Sequence, residues 1–291
     1  MNNKPLVSVI TSVYNHEKYV QESLKSVINQ TYENIELILI DDGSKDKSFE
    51  KVLELKEECE KRFVNVHIET KENEGTKKTY NKLLSLVNGK YVFRLDSDDA
   101  AKPQVIEKEV EFLENNPDYV LAVGDNDVID ENSIIQDGPT ARERIVKARK
   151  INFESNDFGD YSILALVSNH VPNGYLIRKE TLDKCRKFTD NAPLEDWWLM
   201  LQLSKYGKFK FINEILFSYR VHGKNTSADS KHMRQMARKT VAYELKTLKD
   251  LDFSNMLPVV KRTYLQYKYF GKLAKFAKKL ELRLKFKNNS I

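Results

Sequence analysis

Compact aliphatic runs alternate with amphipathic stretches through the first 115 residues of the chain. Residues 6–13 (LVSVITSV) form an apolar run of strand length with no helical period, the pattern of a strand buried on both faces. From about 17 to 29 the spacing changes. Tyr19, Val20, Leu24, Val27 and Ile28 recur at three- and four-residue steps and predict a helix with one apolar face. Residues 35–40 (IELILI) are a second buried strand, ending at Asp41-Asp42-Gly43-Ser44. The same reading predicts a helix over 47–61, a strand over 64–69, a loop at 71–75, a helix over 76–87, a strand at 91–95 and a helix over 103–115. Pro103 suits the first turn of the last helix. Four strand–helix repeats imply an α/β domain with a largely parallel sheet.

Beyond residue 116 the pattern loosens. YVLAVGD (119–125) and VPNGYLI (171–177) read as strands, 179–186 and 195–206 as helices, and 209–222 as two short strands. Residues 130–160 are polar and turn-rich, as expected of an excursion near a site. From about 232 the chain is helical and basic. Residues 258–287 carry ten Lys and Arg against one acid, Glu281, and their apolar residues recur at three or four, so they predict a basic amphipathic helix. Two readings of it stay open: attachment to an anionic membrane surface, and packing on the rest of the chain with a solvated basic face.

Composition narrows the class. With 291 residues, 48 Lys+Arg, 43 Asp+Glu, 41% hydrophobic and 31% charged residues, the chain is of globular type with a formal net charge of +5. Ten glycines and seven prolines exclude collagen-like and low-complexity readings. No run approaches the roughly 18 apolar residues of a membrane span. The N-terminus enters a strand pattern directly, without the features of a secretory signal. Two cysteines, Cys59 and Cys185, make no disulfide framework and fit a reducing cytoplasm.

In parallel sheets, ligands bind beyond the carboxyl ends of the strands. Three polar clusters fall there: Ser12-Val13-Tyr14-Asn15, Asp41-Asp42-Gly43-Ser44 and Asp96-Ser97-Asp98-Asp99. Carboxylates as close as Asp96, Asp98 and Asp99 repel one another, and a hard divalent cation, Mg2+ or Mn2+, relieves that cost. A solvated turn is the plainer reading of the same residues. His222, after the last strand pattern, is a metal ligand only if the carboxylates form a metal site. The other histidines, His16 included, show no zinc spacing. An Asp at a sheet edge can accept from a base N–H, Tyr14 can stack on that base, and Lys71, Lys77 and Lys78 flank Asn73-Glu74-Gly75. Glu195-Asp196 precedes Trp197-Trp198, where aromatic neighbours would raise a carboxyl pKa and make a better general base.

In this order, Val7 to Asn15, Gln30-Thr31-Tyr32, Asp41 to Ser44, Asn73-Glu74-Gly75, Asp96 to Asp99, Glu195-Asp196 and Tyr219-Arg220-Val221-His222 resemble the inverting family-2 glycosyltransferases of the GT-A fold, over about residues 5–227. Ser12 stands where many members have Pro. The resemblance implies a Rossmann-like, mostly parallel sheet flanked by helices in a catalytic domain of residues 1–227, with a basic helical region over 228–291. It implies a nucleotide-sugar donor, most often a UDP-sugar, and Mn2+ or Mg2+. Carried over by motif, Ser12, Tyr14, Asn15, Asp42, Asn73, Lys78, Asp96 and Asn173 would hold the nucleotide sugar. Asp98 and His222 would hold the metal, Asp196 would be the catalytic base and Glu195 its support. The acceptor would be a glycan or lipid-linked glycan of surface polysaccharide or lipopolysaccharide type. The location would be cytoplasmic, with the basic helix directed to the inner face of the cell membrane.

Two alternatives stand beside it. A transferase acting on polyprenyl phosphate has an anionic nucleophile and needs no base. A non-catalytic basic module for membrane or nucleic acid would use the tail. A nucleic-acid partner is disfavoured because acids occupy the strand ends, where a phosphate binder needs lysine.

Overall fold

The alternating pattern folds around a single eight-stranded sheet. The computed structural model describes residues 4–223 and 230–288. The expected boundary between residues 227 and 228 lies outside the described residues. Strands β1 (Val7–Val13), β2 (Ile35–Asp41), β3 (Asn65–Thr70), β4 (Tyr91–Arg94), β5 (Ala100–Ala101), β6 (Tyr119–Ile129), β7 (Tyr175–Arg178) and β8 (Lys208–Arg220) stand in the order β3-β2-β1-β4-β7-β6-β8-β5. The first four are parallel, with Ser12 level with Ile40 and Val7 level with Tyr91. The other half is mixed: β7 runs antiparallel to both β4 and β6, while β6 and β8 are parallel.

Helices α1 (Val20–Ile28), α2 (Ser48–Leu53), α3 (Lys56–Arg62), α4 (Thr76–Ser85) and α5 (Val105–Asn115) belong to the first half. Next come α6 (Ala141–Arg149), α7 (Tyr161–Leu166), α8 (Lys179–Leu182) and α9 (Glu195–Leu203). The C-terminal region adds α10 (Ser230–Thr247), α11 (Pro258–Phe270) and α12 (Lys272–Asn288). Alternate residues of the strands feed two cores. Val7, Val9, Leu37 and Leu39 pack under α1 and α5, and Ile10, Ile38 and Ile40 pack under α4.

Several elements differ from the pattern's prediction. The helix expected over 47–61 is two, α2 and α3. The polar stretch 130–160 contains α6. Its start is fixed by a capping box between Thr140 and Glu143 rather than by apolar period, since Ala141 alone is buried. The two strands expected over 209–222 are one: at Asn213-Glu214-Ile215 the chain bulges outward against β6 and then resumes pairing. The single basic helix is broken into α11 and α12 at Gly271, whose φ is +49°. Cys59 and Cys185 are unpaired, and burial pushes their thiols up to about 11 and about 12.

A buried ionic node joins α10 to the rest. Glu244, fully enclosed, accepts from Tyr161 (2.8 Å), Gln202 (2.8 Å), Arg186 (2.6 Å) and Lys205 (2.7 Å). Two enclosed charges are tolerated because each is paired and hydrogen-bonded. Trp197 of α9 donates its indole N–H to the Leu164 carbonyl of α7 at 2.9 Å, and α11 and α12 both pack on α7.

Candidate active site

The carboxyl ends of β1 and β4 open onto a cleft of about 620 Å³. Ser12, Tyr14 and Asn15 reach it from β1, Asp96, Asp98 and Asp99 from the loop after β4, and Asn173 from the turn before β7. Glu195 and Asp196 line it from the first turn of α9. Acids expected on separate motifs therefore meet in one space.

Asn15 has a φ of 55°, which a short amide side chain tolerates. The chain turns sharply there, and the next side chain, His16, points back toward the acids. Its Nδ1 meets Ser97 Oγ at 2.8 Å and its Nε2 lies 3.9 Å from Asp98. His222 Nε2 meets the same Asp98 oxygen at 3.0 Å. Ligand atoms of His16, Asp98 and His222 all lie within 4.8 Å of one another. Burial, opposed by the Asp98 charge, keeps the His16 imidazole below its usual pKa, so the ring tends toward the neutral form that binds metals.

Asp99 and Arg220 are braces for this cluster. Asp99 is enclosed and accepts the Arg220 backbone N–H at 2.8 Å. Burial, with the Asp98 and Asp96 charges adding, holds its carboxyl well above the usual range. The Arg220 guanidinium donates to the Asp98 carbonyl (2.7 Å) and the Glu22 carboxylate (2.6 Å). The end of β8 thus clamps the acidic loop in place, and His222 extends from that clamp to Asp98.

Arg94 joins the two acidic groups. It is enclosed at the end of β4, 4.2 Å over the Tyr80 ring, and its guanidinium bonds Asp96 Oδ1 (3.1 Å) on one side and Asp196 Oδ1 on the other. Tyr80 also donates to Asp96 Oδ1 at 2.8 Å. Asp196 has 44% of its side chain open to the cleft, yet protein surrounds that narrow space on most sides. This shielding raises the Asp196 carboxyl above the usual range, against the pull of Arg94 and with a further push from Asp96. Burial, and then the Asp196 charge, raise Glu195 as well.

Three residues expected to hold the nucleotide sugar stand outside the cleft lining. Asp42 accepts from Lys71, from the Glu74 N–H (3.0 Å) and from the Gly75 N–H (2.9 Å), tying β2 to the following loop. Burial acts to raise its carboxyl, but these donors outweigh it and hold the group low. Asn73 lies against Gly43, where φ is +69° and a Cβ would come within 2.8 Å of the Asn73 nitrogen, so this turn needs glycine. Lys78 turns outward to Glu74 at 3.5 Å; the lysine lining the cleft is its neighbour Lys77.

The sequence model of glycosyl transferase family 2 matches residues 8–168. An uncharacterized glycosyltransferase of Haemophilus influenzae is 34% identical over 249 residues, 84% of this chain and 74% of that one. The chain belongs to glycosyl transferase family 2. Among its other relatives is the hyaluronan synthase of Pasteurella multocida, 29% identical over 78% of the chain, of which this family member spans only 22%. Of the solved structures, S. aureus TarS 1–349 superposes with a TM-score of 0.61 at 18% identity, covering 92% of this chain and 73% of that one. The mannosyltransferase PcManGT of Pyrobaculum calidifontis superposes at 0.65 with 14% identity, covering 97% and 74%. These likenesses establish the GT-A fold. Family membership replaces the reading as a non-catalytic module. The stretch matched by the family model ends before Asn173, Glu195-Asp196 and His222, so the geometry described above is what connects those residues to the family motifs.

Sequence reasoning missed His16, Arg94 and Tyr80. His16 follows the β1 motif directly, and a turn at Asn15 was the signal available. Arg94 and Tyr80 read as ordinary members of a strand and a helix face. It also missed the wall formed by His232, Met233 and Met236 at the start of α10, which no motif marks.

Proposed function

We propose that the protein transfers a sugar from a nucleotide-diphosphate sugar, in the first instance a UDP-sugar, to a hydroxyl of a growing glycan, inverting the anomeric configuration with Asp196 as general base. The observation that carries this reading is the Arg94 bridge, which ties Asp196 to Asp96 in the cleft that Asp98 also lines. A displacement needs its base and its leaving-group contacts within reach of one reacting centre.

Support for the donor comes from Tyr14, an exposed ring at the rim of the cleft. The superposed structures include TarS 1–349 in complex with UDP-GlcNAc and PcManGT in complex with GDP-Man and Mn2+. His16, Asp98 and His222 fit a divalent ion. One carboxylate and two imidazoles, with Ser97 orienting one ring from behind, suit Mn2+ better than Mg2+, which favours oxygen ligands. When bound, the ion supplies Lewis-acid stabilisation to the departing diphosphate.

The chain's own residues do the rest. Arg94 occupies Asp196 Oδ1 and leaves Oδ2 for the acceptor hydroxyl. Asp196 takes that proton as the oxygen attacks the anomeric carbon from the face opposite the phosphate. One carbon–oxygen bond forms as the other breaks, and the proton passes later to solvent. Glu195, raised and adjacent, positions the acceptor. A glycan acceptor accords with the hyaluronan and chondroitin synthases among the relatives.

The test is Asp196→Asn. Donor binding, measured by calorimetry with Mn2+, is expected to persist while transfer is abolished. Transfer at near the wild-type rate would remove Asp196 as base and leave a polyprenyl phosphate, already anionic, as the acceptor.

A further inference from the structure

The two C-terminal helices have more apolar surface than their packing uses. In α11, Val260 and Thr263 are buried against the body of the protein, while Leu265, Tyr269 and Phe270 face solvent. In α12, Ala274 and Leu282 face inward, and Leu273, Phe276, Leu280 and Leu284 lie exposed on the other side. Their spacing of three, four and four residues puts them in one stripe along the helix. From Tyr269 to Leu284 these six exposed side chains keep between 46% and 70% of their surface in contact with solvent. A helix that needed only to pack on α7 would carry polar residues there.

Charge identifies what covers the stripe. The one acid of the region, Glu281, is neutralised within α12 by Lys278 (3.3 Å) and Lys285 (3.0 Å). Lys261, Arg262, Lys268, Lys272, Lys279 and Arg283 have no carboxylate partner among the described residues. Lys272 and Lys279 lie four and three residues from Phe276, and Arg283 three from Leu280, so these cations border the stripe. Burial, and then the like charges of Lys279 and Arg238, hold the Lys275 ammonium below its usual pKa. Apolar side chains able to insert, bordered by cations able to meet phosphates, match the boundary between acyl chains and anionic headgroups. No helix among the described residues is long and apolar enough to cross a membrane, so the contact is one of lying on the surface.

We propose that the exposed face of α11 and α12 binds an anionic lipid bilayer. The proposal is independent of the sugar-transfer chemistry, because no residue of this face lines the cleft.

The experiment is co-sedimentation of the full chain with vesicles of equimolar phosphatidylglycerol and phosphatidylcholine, and with vesicles of phosphatidylcholine alone. Strong binding to the first, weak binding to the second and weakening of the first by salt are expected. The double variant Phe276→Ser with Leu280→Ser should lose about tenfold or more in partitioning. The triple variant Lys272→Gln, Lys279→Gln, Arg283→Gln should lose its preference for the anionic vesicle. Thermal midpoint and donor binding should be unchanged in both, because the substituted side chains touch solvent. Failure of the wild type to sediment with the anionic vesicle, equal binding to both vesicles, or full binding by both variants would overturn the proposal. So would light scattering that shows a dimer dispersed by the apolar double variant, since a second copy of the chain would then be the occupant.

Discussion

Asp42 on the parallel side of the sheet and Asp196 on the mixed side are held in opposite ways. On the parallel side, Asp42 is saturated with N–H donors and Asp98 sits between two imidazoles on a backbone clamped by Arg220. The donors around Asp42 outweigh its burial and hold its carboxyl low, while the enclosed Asp99 behind Asp98 is pushed upward. On the mixed side, Glu195 and Asp196 begin a helix in a shielded wall, and both carboxyls are pushed upward, toward holding a proton. Identical functional groups are thus given binding or proton-transfer character by their surroundings alone. Arg94, at the seam, bonds Asp96 on one side and Asp196 on the other.

Substitution can separate these characters. The largest expected effect is that of Asp196→Asn: a loss of transfer on the order of a thousandfold with donor affinity little changed, read by single-turnover transfer beside calorimetry. Asp98→Ala should do the reverse, weakening Mn2+-dependent donor binding by on the order of a hundredfold; unchanged calorimetric affinity would dissolve the contrast between the halves. A third prediction concerns the frame of the mixed side. His170, enclosed, accepts from the Gly159 N–H at 2.9 Å, and burial lowers its pKa from 6.5 to about 4. As pH falls below 6.5 the unfolded chain takes up a proton there while the folded chain does not until about 4, so stability is lost across that window. Between pH 7 and pH 5 the loss should be about 2 kcal/mol by urea unfolding. His170→Gln should flatten that slope, and an unaltered slope would assign it elsewhere. The smallest effect is that of Arg94→Lys, about tenfold on transfer, because an ammonium cannot span two carboxylates as a planar guanidinium does. With that pull on Asp196 weakened, the acidic limb of the rate profile should move to higher pH; a limb that stays in place would make Arg94 a structural residue only.

The parallel half was legible because its strands are buried on both faces and its helices are amphipathic. Hydrophobic period therefore reports both, and polar clusters mark the strand ends. The mixed half obeys other signals. Helix α6 is defined by its Thr140–Glu143 cap, α7 is a six-residue helix buried on every side with no period to detect, and β8 continues through a polar bulge that reads as a turn. The site divides similarly. Asp96, Asp98, Glu195 and Asp196 stand in recognisable motifs, and the fold brings them to one cleft. His16 depends on a single left-handed residue before it, and Arg94 on contact with Asp196 about a hundred residues later in the chain, neither of which a linear spacing records.

The Glu244 node has a practical consequence for anyone wishing to exchange this protein's tail for that of another transferase. A graft joined at residue 227 would discard Glu244 and strand the Lys205 ammonium and the Tyr161 hydroxyl inside a dry interior. A junction placed after Leu251 would keep that anchor with the recipient and hand over only α11 and α12. In this chain the interchangeable part begins a full helix later than the end of the sheet suggests.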